Sequence, residues 1–158
     1  MKKLFITLLS AGLLLTACKN EQKPATAGSN DGQPVMTLSS NDTTTVRQQA
    51  SDFLQQVVDG KIDEAVAMLY FLDGETPKPL TNEQRQEFAM GIGAFTFKGF
   101  KITSLDFKSE MDTEVGYNLY LDDPSKTSHP RTFKGLFRPV RRNGAWYITL
   151  ANGFMNGK

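Results

Sequence analysis

Asp52-Phe53-Leu54-Gln55-Gln56-Val57-Val58-Asp59-Gly60-Lys61-Ile62-Asp63-Glu64-Ala65 is the stretch whose reading decides the fold. Its apolar residues fall at helical spacing, stop at Asp-Gly and resume at Ile62. Working backwards, Val46 and Ala50 extend the stripe, and Asp42 or Thr43 supplies the cap that opens it. Gly60 suits the left-handed position just past a helix end. Working forwards, Ile62, Ala65, Val66 and Leu69 make the stripe of a second, shorter helix. Asp73-Gly74 and the prolines at 77 and 79 then predict a loop. Thr81-Asn82-Glu83-Gln84 fits a capping box, opening a third helix with Phe88, Ile92 and Phe95 on one stripe. Gly91 and Gly93 weaken its end, each by up to about 1 kcal/mol against alanine, and are expected to let it lie close against a sheet. They do not make a phosphate cradle, because Thr96 stands where the motif needs its third glycine.

From Phe97 the period changes to two. Phe100 and Ile102, then Leu105 and Phe107, predict a strand with a bulge near Thr103-Ser104. Val115, Tyr117, Leu119 and Leu121 alternate with polar or small neighbours. Residues 122–130 read as a polar loop, Thr132 to Arg142 as a third strand, and Asn143-Gly144 as a tight hairpin turn. A fourth strand, Ala145 to Ala151, points Trp146, Ile148 and Leu150 to one face. Helices followed by a meander predict an α+β domain: three N-terminal helices packed on a curved antiparallel sheet of four or more strands.

The helix, Asp-Gly break and second helix of residues 52–65, with the closing run Asn143-Gly144-Ala145-Trp146-Tyr147-Ile148, resemble the nuclear-transport-factor-2-like (cystatin-like) superfamily. The resemblance covers about residues 43–152 and is strongest to lipid-anchored members of uncharacterised role. It implies a cone-shaped domain whose bent sheet and helices can enclose a pocket.

The chain's first eighteen residues set its expected compartment. Met1-Lys2-Lys3 is a positive start, and Leu4 to Leu15 an apolar run. Twelve residues of helix rise about 18 Å, short of the roughly 30 Å hydrocarbon core, so the run reads as a processed signal. Leu15-Thr16-Ala17-Cys18 resembles the lipobox of bacterial lipoproteins, which implies cleavage before Cys18 and its acylation. The domains expected are thus 1–17 as signal peptide, 18–42 as acylated cysteine and flexible tether, and 43–158 as the folded unit, about 115 residues and one domain. Cys18 is the sole cysteine, so no disulfide, thiol nucleophile or thiolate metal site is expected. Lys19-Asn20 lacks the aspartate that, by the same resemblance, some bacteria use to retain lipoproteins in the inner membrane. This favours the outer membrane of a Gram-negative cell, facing the periplasm or the surface. Asp42-Thr43-Thr44 resembles a short bacterial O-glycosylation site, although helix-start residues explain the same letters.

Charge excludes one class of partner. Removing Lys2 and Lys3 takes the formal charge from +1 to −1, which leaves no electrostatic footprint for nucleic acid. Acid–base candidates are Asp106, Asp112, Glu114, Tyr117 and Tyr120, but no complete catalytic set is visible, and Asp106 is expected to face solvent. His129, the only histidine, sits in the polar loop beside Pro130, and Asp122-Asp123 alone make no metal site. Neither metal nor cofactor is expected. Lys134 and Arg138, sharing a strand face with Leu136 and Val140, fit the rim of an anion site, or else a solvated face whose long stems cover apolar groups. Trp146, Tyr117 and Tyr70 fit an aromatic pocket, or else core packing. The expected function is a lipid-anchored envelope module that binds a small ligand or an envelope protein. The alternatives are a small-molecule enzyme, isomerase- or cyclase-like, of the same fold, and a structural subunit or homodimer assembling through its sheet.

Overall fold

The computed structural model describes residues 39–150. Helix α1, Ser40–Val58, buries Val46, Ala50, Phe53, Leu54 and Val57. The fourth-residue recurrence puts them on one face. The helix opens three residues earlier than the sequence suggested. Ser39 is the N-cap, and Asp42 closes a capping box as the third residue of the first turn. Residues 39–42 therefore belong to the folded domain and not to a spacer. At the other end the Gly60 amide donates to the Val57 carbonyl and that of Lys61 to Gln56. Gly60 takes φ +75° there, so the Asp-Gly break is a Schellman stop.

Helix α2, Ile62–Ala67, runs directly into strand β1, Leu69–Asp73, which pairs antiparallel with β2, Thr76–Pro79. The expected loop is thus a hairpin. Gly74 turns it at φ +62°. Tyr70 faces Pro79 and Leu72 faces Pro77, two positions apart on one strand. Both prolines therefore turn their missing N–H to the same side, and β2 is an edge strand whose outer side needs no donor.

Helix α3, Asn82–Gly93, starts on the expected Thr81/Gln84 capping box. Phe88 and Ile92 are buried, but Phe95 lies beyond the helix end and is 51% exposed. The two glycines do not bring α3 to a sheet. A Cβ on Gly93 would meet Ile62 of α2 at 3.8 Å, and one on Gly91 would meet nothing within 4 Å.

Strands β3 (Gly99–Phe107), β4 (Thr113–Tyr120) and β5 (Thr132–Phe137) form an antiparallel sheet in that order. The register slips between Ile102 and Ser104, where the bulge was expected. The third expected strand breaks in two. Arg138-Pro139 separates β5 from β6 (Val140–Arg142), because Pro139 offers no donor to a ladder. Strand β6 turns through Asn143-Gly144, both at positive φ, into β7 (Ala145–Thr149).

The second sheet has the order β2-β1-β7-β6 and is mixed, not antiparallel throughout, since β1 and β7 run parallel. The sheets meet at the break. Phe137 bridges Leu150, the Arg138 amide donates to the Thr149 carbonyl at 2.9 Å, and the Thr149 hydroxyl donates to the Arg138 carbonyl. Helix α1 lies against β3 and β7, one strand of each sheet. Phe53, fully buried, meets Phe137 edge-on at 5.0 Å and Phe88 at 6.3 Å. Three helices and two β-sheets, with α1 the helix that packs on both, make an α+β domain.

Candidate functional site

The aromatic candidates lie in the core. Tyr117 is 4% exposed and stacks on Phe137 at 4.4 Å. Its ring lies so close over Gly135 on the neighbouring strand that a Cβ there would fall 2.2 Å from the ring. Burial pushes the Tyr117 hydroxyl up to about 12, because the phenolate would lose its water.

Trp146 is 6% exposed, meets Phe107 edge-on at 5.7 Å, and donates its indole N–H to Asp42 Oδ1 at 2.9 Å. Tyr70 is half-buried on β1 and meets Tyr147 edge-on at 4.9 Å. Tyr117 and Trp146 are both part of the one hydrophobic core, although they stand on different sheets, whereas Tyr70 is half-buried outside it beside Tyr147.

The basic candidates lie on the opposite face of β5. Lys134, Leu136 and Arg138 are exposed there, whereas Val140, beyond the proline break, is buried and does not share their face. Arg138 pairs with Glu114 on β4 at 3.5 Å. Asp106 and Asp112 are exposed, as is His129. Tyr120 is half-buried at the end of β4 opposite Thr132. Asp122 grips Arg131 through both carboxylate oxygens at 2.7 and 2.9 Å, closing the polar loop on itself. The Arg131 side-chain and backbone N–H donors hold the Asp122 carboxyl down at about 2. No three His, Cys, Asp or Glu among the described residues come together as a metal site, and no described helix is long and apolar enough to cross a membrane. Cys18 lies outside the described residues.

Two features exceed what the sequence offered, where Asp42 reads only as a cap candidate. One is Asp42, 5% exposed, held by Ser39 and Trp146 with Arg141 Nη1 at 3.6 Å. Ser39-x-x-Asp42 ahead of an apolar run was a readable capping signal. All of Asp42-Thr43-Thr44 lies on α1, with the Thr44 hydroxyl donating to the Ser40 carbonyl.

The other is an open groove of about 600 Å³ between α2 and α3. Its lining runs from Gly60 to Glu64 on one side and takes Ala89, Met90, Gly93 and Ala94 on the other, with Ile62 and Ala89 the partly buried members. Met90 on its lip is 71% exposed. The small residues of α3 that weaken the helix also leave this space unfilled. No signal short of knowing that α2 and α3 adjoin could have found it.

No family model and no curated protein matches the chain. Its structural neighbours include NTF2-like domain proteins. A protein from Campylobacter jejuni described as an NTF2-like transpeptidase is 8% identical, over 67% of this chain and 98% of its own, with a TM-score of 0.43. One from Novosphingobium aromaticivorans described as a scytalone dehydratase is 15% identical, over 68% and 79%, with a TM-score of 0.39. A third, from Xanthomonas campestris, is described as a calcium/calmodulin-dependent protein kinase II association domain. It is 11% identical over 80% and 99%, with a TM-score of 0.35. At these scores the fold rests on the chain's own elements and pairings.

Proposed function

We propose that the chain is a cell-envelope lipoprotein, anchored through acylated Cys18, whose domain is a binding and interaction module of nuclear-transport-factor-2-like build. One observation carries the second half of this reading. The aromatic residues that would line an inner pocket are spent on one another, Tyr117 on Phe137 and Trp146 on Phe107 and Asp42. Met90, by contrast, stands at 71% exposure in the lining of the open groove, and Phe95, the residue after its last lining residue Ala94, at 51%. Large apolar side chains left in water beside a concavity favour a partner's contact over catalysis.

The lipobox supports the anchor. Two or more acyl chains on one cysteine suffice for stable membrane attachment, at about 0.8 kcal/mol per buried methylene. The mature chain is expected in the outer membrane.

A second reading, assembly through a sheet, rests on the outer face of β3-β4-β5, where Leu136 is 36% exposed among Lys101, Ser104, Asp106 and Lys134. Photo-crosslinking in a Gram-negative host from a probe at position 90, against one at position 134, separates the two. A protein adduct from position 90 alone supports the groove; one from position 134 alone supports the sheet. The intact mass of the mature chain tests the anchor. Acyl mass on a chain beginning at Cys18 is expected, and an unmodified Cys18 would refute it.

A further inference from the structure

The first six residues of α1, Ser40-Asn41-Asp42-Thr43-Thr44-Thr45, are all weak helix formers. Within this turn only Asp42 is buried; the next buried residue is Val46. The Ser39 and Thr44 hydroxyls add bonds within the turn, but among the described residues what ties it to the body is the Asp42 carboxylate. Asp42 Oδ2 accepts from the Ser39 amide at 3.0 Å and the Ser39 hydroxyl at 2.8 Å. Oδ1 accepts from the Trp146 indole at 2.9 Å, and Arg141 Nη1 stands 3.6 Å away.

Arg141 is in turn fixed by the loop between β3 and β4. Its amide donates to the Glu110 carbonyl at 2.7 Å, and its Nη1 lies 3.6 Å from Glu110 Oε1. Arg141 Nε is buried without a partner, and Nη1 stands between the two carboxylates, 3.6 Å from each. Beyond this turn α1 has separate ties to the body, including Gln49 Nε2 donating to the Trp146 carbonyl at 3.1 Å.

We propose that Asp42 is a latch: it alone fastens the first turn of α1 to the β6–β7 hairpin, and without it residues 39–45 open while the helix from Val46 onward stays folded. Such a turn is a local opening unit, separate from the global transition. It lies where residues 1–38 join the domain, so in a chain anchored at Cys18 it would be the joint between tether and body. The latch itself does not depend on that anchor.

Amide hydrogen exchange of the purified chain tests it, with Trp146, the only tryptophan, as a second reporter. Asp42→Ala is expected to speed exchange at Thr43, Thr44 and Thr45 at least tenfold, to leave Phe53 to Val57 unchanged, and to shift the indole emission to the red. Unchanged exchange at 43–45 would overturn the proposal. So would an equal rise at 53–57, which would make the turn part of the global unit. Should Asp42→Ala fail to fold, Trp146→Phe removes the indole N–H and keeps an aromatic ring. A smaller rise confined to the same three amides is then expected. A Trp146→Phe chain that also fails to fold, or leaves those amides unmoved, would overturn the latch.

Discussion

Two phenylalanines on the helical side of the molecule meet opposite fates. Phe53, in the middle of α1, is wholly buried between Phe88 and Phe137. Phe95, just past α3, is half in water. The regions around them differ in the same way. Where α1 crosses the junction of the two sheets, large side chains fill the space, and Gly135 exists to admit the Tyr117 ring. Where α3 meets α2, Gly60, Ala89, Gly93 and Ala94 leave it open. Stability resides in the first region. The second is the region we propose for a partner.

The largest test of that division is Phe53→Ala. Loss of a buried phenylalanine costs about 3–5 kcal/mol, and equilibrium unfolding in urea should show a loss of this size. A loss under about 1 kcal/mol would mean that this core is not where the stability lies. Gly135→Ala comes next. Its Cβ would collide with the Tyr117 ring, and overpacking of this kind costs about 1–3 kcal/mol, measured the same way. Gly116→Ala should cost less, because the atoms it meets are the hydroxyl ends of Ser104 and Thr103, which can rotate away.

Acid separates the regions differently. The Trp146 indole, then the Ser39 backbone and hydroxyl, hold the Asp42 carboxyl down at about 2, from an ordinary 3.8. A depressed carboxylate stabilises the fold fully above its unfolded value and loses that contribution as pH falls through its folded value. The stability contribution should therefore fall from about pH 4 downward, while Trp146 emission from the folded chain should stay flat to about pH 3 and change at about pH 2. Asp42→Asn should lack this step, and a wild-type step near neutrality would contradict the assignment. The smallest effect belongs to the open corner. Met90→Ser with Phe95→Ser should alter stability by no more than about 0.5 kcal/mol, while abolishing the crosslink from the groove's lip, followed by a probe on Lys61.

Much of this architecture could be read from local rules. Asp59-Gly60 stops α1, Thr81/Gln84 opens α3, Thr103-Ser104 bulges β3 and Asn143-Gly144 turns the last hairpin, each set by residues within a few positions of one another. What escaped depends on distant partners. Pro77 and Pro79 argue against a strand until β2 is known to be an edge. The parallel pairing of Leu69 with Ile148 joins segments that no local pattern relates. Asp42 and Trp146 are 104 positions apart, so the carboxylate could be read as a cap but not as the indole's partner. The same limit applies to the proposed binding residues. Alternation placed Tyr117 and Trp146 on inward faces, yet whether an inward face lines a cavity or fills it depends on the opposing side chains.

The central claim, that the interior is closed by its own aromatics and that the outer corner takes the partner, is tested most directly by native mass spectrometry. The chain would be purified from the envelope of a Gram-negative bacterium and compared with its denatured form. The expected spectrum shows no small-molecule mass lost on denaturation, and any associated species is a protein whose binding disappears with Met90→Ser. A reproducible small mass released on denaturation, unaffected by Met90→Ser, would contradict the claim and place a ligand inside the domain.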